Sequence, residues 1–190
     1  PLRRQRQMCI RDSELSSQLG FGERTVTAVL NARLIPIISE LISSVRNILH
    51  RFEIDAPLVI VRGDGSVMGE EMARSRPVET ILSGPAASLL GARHLTGRDD
   101  AVVVDMGGTT TDIGILIDGR PRLDPEGAII GGWRTRIRAV DLLTAGVGGD
   151  SRIVVHRKEA HLTSLRVIPL CIASIRFPGL EPKLRSMKDV

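Results

Sequence analysis

The chain has 190 residues, 42% of them hydrophobic, enough for one globular domain or part of a larger one. Of its net charge of +4, residues 1–13 supply +3 through Arg3, Arg4, Arg6 and Arg11 against Asp12. The near-neutral remainder, with three Phe, one Trp and no Tyr, gives bases little to stack on and excludes a nucleic-acid partner. Cys9 and Cys171 make no disulfide framework, so a reducing cytoplasm is the expected setting. His50, His94, His156 and His161 lack zinc-ligand spacing. No signal peptide or bilayer-length apolar run is read from the sequence, and no membrane partner is expected.

The first stretch reads as foreign. Gln7-Met8-Cys9-Ile10-Arg11-Asp12-Ser13 resembles the translation of an adapter used to fragment DNA for sequencing. Residues 1–13 are therefore expected to be non-native, with a disordered basic arm as the alternative, and the protein is expected to continue upstream of Glu14. Residues 14–190 are expected to form one region.

Residues 23–52 are the longest periodic segment. Val26, Leu30, Leu34, Ile37, Leu41, Val45, Ile48 and Phe52 recur at threes and fours, which predicts a helix burying one stripe in the core. Pro36 cannot donate to the carbonyl of Ala32, so this helix is expected to kink or split there. Residues 58–61 read as a short buried strand ending in the turn Arg62-Gly63-Asp64-Gly65-Ser66. Ligands collect at that end of strands in α/β sheets, so Asp64 is a candidate substrate or metal contact, although Asp-Gly is also ordinary turn chemistry. Residues 68–74 predict a helical turn. Ser83 is a suitable N-cap for a helix over 86–95, with Pro85 in its first turn.

Residues 102–117 organise the rest. Apolar runs at 101–104 and 113–117 predict two strands, and Met106 to Asp112 connects them. Gly107 and Gly108 let the backbone approach a ligand, while Thr109, Thr110 and Thr111 add hydroxyls beside exposed amides. Such a turn makes an anion-binding nest, and Asp105 or Asp112 at its edge can hold a hydrated Mg²⁺. A phosphate-binding loop is therefore expected in preference to a plain Gly-rich hairpin. Arg134, Arg136 and Arg138 alternate along 134–140, as in a half-solvated strand, and Arg134 is a weaker candidate for an anionic substrate. Gly146-Val147-Gly148-Gly149-Asp150-Ser151 is a second Gly-rich turn and a candidate second wall of the same site, through Gly148 and Gly149. Residues 167–173 predict a strand and 178–190 a short helix.

The hairpin, Val-Val-Asp-Met-Gly-Gly-Thr-Thr-Thr-Asp-Ile, resembles the second phosphate loop of the actin-like ATPases. Together with Thr27-Ala28-Val29-Leu30-Asn31-Ala32, Gly63-Asp64-Gly65-Ser66-Val67-Met68, residues 77–87, Gly131-Gly132-Trp133-Arg134-Thr135 and Gly148-Gly149-Asp150-Ser151, it resembles the A subunit of the ATP-dependent hydantoinase/oxoprolinase family. The resemblance implies a partial α/β, actin-like (ribonuclease H-like) fold, with a long kinked helix packed on a mixed sheet. It further implies ATP and Mg²⁺ as cofactors, a small cyclic amide as substrate and a B-type partner subunit. Asp105 would orient Mg²⁺ or attacking water, Gly107, Gly108, Thr109 and Thr110 would cradle phosphate, and Asp112 would support the turn or the metal shell. An ATP-dependent ketone carboxylase subunit and a non-catalytic nucleotide-binding module are the alternatives. The family's amino-terminal Asp-x-Gly-Gly-Thr loop has no copy here, so the chain alone is expected not to turn over ATP.

Overall fold

The computed structural model describes residues 20–180, together with Leu15 and Pro182. The expected non-native segment lies outside them, as does the expected C-terminal helix beyond a 3₁₀ turn at Pro178–Leu180. The fold is α/β and divides into two compact units. The first runs to Val103 and takes in Gly114–Leu142; the second holds Val104–Ile113 and the chain from Leu143 onward.

The first unit opens with α1 (Phe21–Arg51), an unbroken helix that passes through Pro36 instead of splitting there. A proline deletes one backbone bond, and the remaining ladder carries the helix on. The buried face is not the apolar stripe read from the sequence. Thr27, Asn31 and Ile42 are buried with Ile38 half-buried beside them, whereas Ile37, Leu41, Ile48 and Phe52 are 55–68% exposed. Polar contacts decide the rotation. Thr27 Oγ1 donates to the Glu23 carbonyl (2.7 Å) and accepts from the Arg136 amide (2.9 Å). Asn31 donates through Nδ2 to the Ser75 carbonyl (3.0 Å) and accepts at Oδ1 from the Val78 amide (3.1 Å). These bonds satisfy groups whose burial unpaired would cost more than exposing a leucine. By length and composition α1 is also long enough to cross a membrane, contrary to the sequence reading, with a mean hydropathy of 1.5 over its most apolar window.

Strands β1 (Val59–Val61) and β2 (Val67–Gly69) form an antiparallel hairpin around 62–66, and α2 (Glu70–Ser75) follows. Ile42, Met68 and Ala73 make a small core with Ile38, Leu58 and Ile60. A 3₁₀ turn (Pro77–Thr80) leads to α3 (Ser83–Thr96), one turn longer than expected at its start. Its N-cap is Leu82 in the left-handed region (φ 63°), so Ser83 stands inside the helix and does not cap it. The long helix packs on α2, the 3₁₀ turn, β7 (Trp133–Arg134) and, through Ile38 and Ile42, the antiparallel β1/β2 hairpin.

Strands β3 (Ala101–Met106), β4 (Thr111–Ile117) and β5 (Arg120–Pro121) lie in that order in one sheet, with β8 (Leu142–Ala145) also on β4. A β-carbon at Gly114 would meet the Leu89 side chain of α3 at 2.8 Å, so glycine lets that side chain lie close over the strand. Every pairing of defined register is antiparallel: β1/β2, β4/β5, β6 (Ile129–Ile130) with β7, and β9 (Ser151–His156) with β10 (Glu159–Arg166). Short connections allow that arrangement, whereas parallel pairing needs long crossovers.

In the second unit the β9/β10 hairpin, absent from the sequence reading, turns at Arg157 and Lys158, both at positive φ. Two positive-φ residues suit a tight hairpin, but Arg-Lys lacks the Asn-Gly signature that announces one. The strand expected at 167–173 is instead a loop followed by α4 (Leu170–Arg176). Periodicity cannot separate strand from buried helix in so short an apolar run, and Pro169 fits the helix's N-terminal boundary.

Candidate functional site

The second unit brings the two Gly-rich turns together. The first closes on itself through Gly107 N–H donating to the Thr110 carbonyl at 2.9 Å. The second reaches it with Gly149 N–H donating to the Gly107 carbonyl (3.0 Å) and Asp150 N–H to the Gly108 carbonyl (2.8 Å). Ser151 N–H returns to the Gly148 carbonyl (2.9 Å), and Gly148 N–H donates to Ser151 Oγ (2.9 Å). Gly148 is there because nothing else fits. A β-carbon at that position would lie 2.5 Å from the Thr109 nitrogen and 2.6 Å from Gly108 backbone atoms.

The sequence candidates separate into distinct places. Asp105, Gly107, Gly108, Thr109 and Thr110 are exposed at the end of β3 and in the turn, where a ligand can reach them. Thr111, expected to offer its hydroxyl to phosphate, is turned inward. It is 5% exposed and donates to the Val147 carbonyl at 2.6 Å, tying one turn to the other. Asp112 accepts from Thr144 Oγ1 at 2.6 Å, which fits support of the turn.

Asp64 and Arg134 belong to the first unit and are occupied locally. Asp64 Oδ1 accepts from Ser66 N (3.0 Å) and Ser66 Oγ (2.6 Å), closing its own turn. Burial tends to raise its carboxyl, but the Ser66 hydrogen bonds and the Arg62 and Arg138 charges together hold it below the ordinary carboxylate range. Arg134 donates to the Gly127 carbonyl (3.1 Å) and pairs with Glu126 (3.3 Å) and Asp124 (3.7 Å). A solvated, salt-bridged face accounts for it.

Two residues outside the sequence candidates complete the cradle. Asp150 Oδ2 lies 3.5 Å from Thr109 Oγ1, and its Oδ1 accepts from Arg166 Nη1 at 2.7 Å. Asp150 follows Gly149 directly and was legible as part of the second turn. Arg166, fifteen residues beyond Ser151 in a strand of exposed residues, carried no such signal.

Among the described residues no group of three or more His, Cys, Asp or Glu side chains could hold a metal ion. A carboxylate at the lip of a phosphate turn nevertheless suits Mg²⁺, which keeps most of its waters and takes one or two carboxylates plus phosphate oxygens. Asp105, exposed at the end of β3, is the candidate for that role.

Two backbone-lined turns closed on each other, on an α/β scaffold, are the kind of concavity in which backbone N–H groups can meet an anion, and they are the candidate site. Residues 24–169 match the hydantoinase/oxoprolinase family, and the chain belongs to it. It is 30% identical over 142 residues to the caprolactamase subunit alpha of Pseudomonas jessenii, covering 73% of this chain and 20% of that protein. The acetophenone carboxylase gamma subunit of Aromatoleum aromaticum is 26% identical over 175 residues, covering 87% and 23%. The 5-oxoprolinase of Saccharomyces cerevisiae is 28% identical over 143 residues, covering 73% and 11%. The chain thus spans less than a quarter of the length of these three relatives. Nucleotide-free acetone carboxylase shares the fold, with a TM-score of 0.61 at 17% identity over 82% of this chain and 22% of that one.

Proposed function

We propose that this region is the phosphate-binding part of an ATP-dependent enzyme that activates a cyclic amide for hydrolysis. The observation that carries the reading is the closure of 146–151 on 107–110 through the Gly149–Gly107 and Asp150–Gly108 backbone bonds. It leaves the exposed Gly108, Thr109 and Thr110 backbone as a cradle for nucleotide phosphates, in an actin-like arrangement. Asp105 would hold Mg²⁺, whose charge would offset that of the nucleotide phosphates. Asp112 and Thr111 keep the turn rigid, and Gly148 and Gly149 let the second wall approach.

The chemistry suits the substrate class. A lactam or imide carbonyl is a poor electrophile; transfer of the γ-phosphoryl group to its oxygen releases ADP and makes the carbon open to water. The ring C–N bond then breaks and phosphate is released. Such transfer depends on positioning and charge neutralisation more than on covalent groups of the protein. The likeness to caprolactamase and 5-oxoprolinase supports an amide substrate. A second reading, ATP-dependent activation of a ketone for carboxylation, is favoured by the acetophenone carboxylase relative.

Titration of the chain with Mg·ATP tests the site directly. Saturable binding, weakened about tenfold or more by Asp105→Asn, is expected from loss of a metal-ligating carboxylate. No binding at millimolar nucleotide would refute it. In a longer protein containing this region, phosphate release driven by lactams and hydantoins supports the amide reading. Release driven only by ketones with bicarbonate replaces it with the carboxylase.

A further inference from the structure

Arg166 belongs to no motif in the sequence, yet three acceptors from both turns meet on its Nη1. They are Asp150 Oδ1 at 2.7 Å, Ser151 Oγ at 3.1 Å and the Thr109 carbonyl at 3.2 Å. The strand is built to deliver it. The β9/β10 register is regular from Glu159 to Leu162 and then shifts before Arg166, which pairs with Ser151 at the root of the second turn. An irregularity of this kind re-aims a side chain. The next residue, Val167, donates its N–H to the Asp150 carbonyl at 2.7 Å, fixing the strand end beside the turn.

We propose that Arg166 is a positioning residue that sets the direction of one peptide in the phosphate cradle, an inference that rests on the ATP-binding reading of that site. In a planar trans peptide the carbonyl of one residue and the N–H of the next point opposite ways. By holding the Thr109 carbonyl, Arg166 therefore aims the Thr110 N–H away from itself, as a donor for an anion. Rotation of that peptide would present a carbonyl oxygen to the phosphate instead and turn attraction into repulsion. Asp150 completes the grip. One of its oxygens neutralises Arg166 and the other faces the Thr109 hydroxyl, so Thr109 is held at both its carbonyl and its side chain. All three acceptors, drawn from both turns, meet on one cationic nitrogen, so each bond is charge-assisted and Arg166→Met removes all of them.

The test is NMR on this chain without nucleotide, comparing the wild type with Arg166→Met, Arg166→Lys and Asp150→Asn: the residual dipolar coupling of the Thr110 N–H reads that bond's direction, and hydrogen exchange reads the bonded Asp150 amide. In Arg166→Met, the Thr110 coupling should collapse or change sign and the Asp150 amide should exchange at least about tenfold faster, with the amides of α1 and the β1/β2 hairpin unchanged. Arg166→Lys, which puts a three-donor ammonium on a long stem at the same place, should return the Thr110 coupling toward its wild-type value. An unchanged Thr110 coupling in Arg166→Met, or no return toward the wild type in Arg166→Lys, overturns the proposal. If the methionine variant does not fold, Asp150→Asn decides the matter: a changed Thr110 coupling supports it and an unchanged one overturns it. With nucleotide absent, a failure of Mg·ATP binding would count against the proposed function and leave these couplings and rates as they are.

Discussion

Gly148→Ala probes the closure of the two turns with a single methyl group. The added β-carbon would stand 2.5 Å from the Thr109 nitrogen and 2.6 Å from the Gly108 carbonyl carbon and oxygen, against 3.4 Å for ordinary contact. All three neighbours are backbone, so no side chain can swing aside. The turns must part by most of an ångström. At that separation the Gly149 N–Gly107 O bond (3.0 Å) and the Asp150 N–Gly108 O bond (2.8 Å) are both lost. Two net hydrogen bonds at about 1 kcal/mol each give roughly 2 kcal/mol of local destabilisation, or about thirtyfold faster opening. Hydrogen exchange at Gly149 and Asp150 measures it, and Mg·ATP binding should weaken in parallel while the first unit keeps its exchange rates. Unchanged exchange at both amides, with nucleotide affinity intact, would refute the closed-turn account of the site.

Asn31→Ala should cost about 2–4 kcal/mol, because the Ser75 carbonyl and Val78 amide lose their partner at a position 7% exposed; chemical denaturation of the first unit reads it. A substitution of Leu41, 56% exposed on the same helix, should change stability little in the same experiment. Asp64 gives a pH signature. Its folded carboxyl titrates below the unfolded value, so its stabilisation is complete above the ordinary carboxylate range and fades as pH falls through the lowered value. Thermal melts of the wild type and Asp64→Asn between about pH 6 and pH 2 should therefore converge toward the acid end, and a constant gap would contradict the assignment.

Much of the site was legible in the sequence because its parts are local. Gly107, Gly108 and the threonines between two apolar runs specify a hairpin turn whatever surrounds it, and Gly146-Val147-Gly148-Gly149 specifies a second. The family follows from these motifs together. The long helix was equally clear from its period.

Other features required partners distant in sequence. Which face of α1 is buried follows from Asn31 bridging Ser75 to Val78 and Thr27 receiving Arg136, polar bonds that an apolar count does not register. Thr111 reads as one more phosphate hydroxyl until Val147 supplies a carbonyl for it. Asp64 and Arg134 each carry two readings in the sequence, a ligand contact or ordinary turn and surface chemistry, and their bonds to Ser66 and to Asp124, Glu126 and Gly127 are seen only in the folded chain. Arg166 was invisible, since one arginine on an exposed strand resembles any other. Composition and spacing marked the two turns; only tertiary structure decided which polar atoms are already satisfied, because a hydrogen bond across many residues leaves no local pattern.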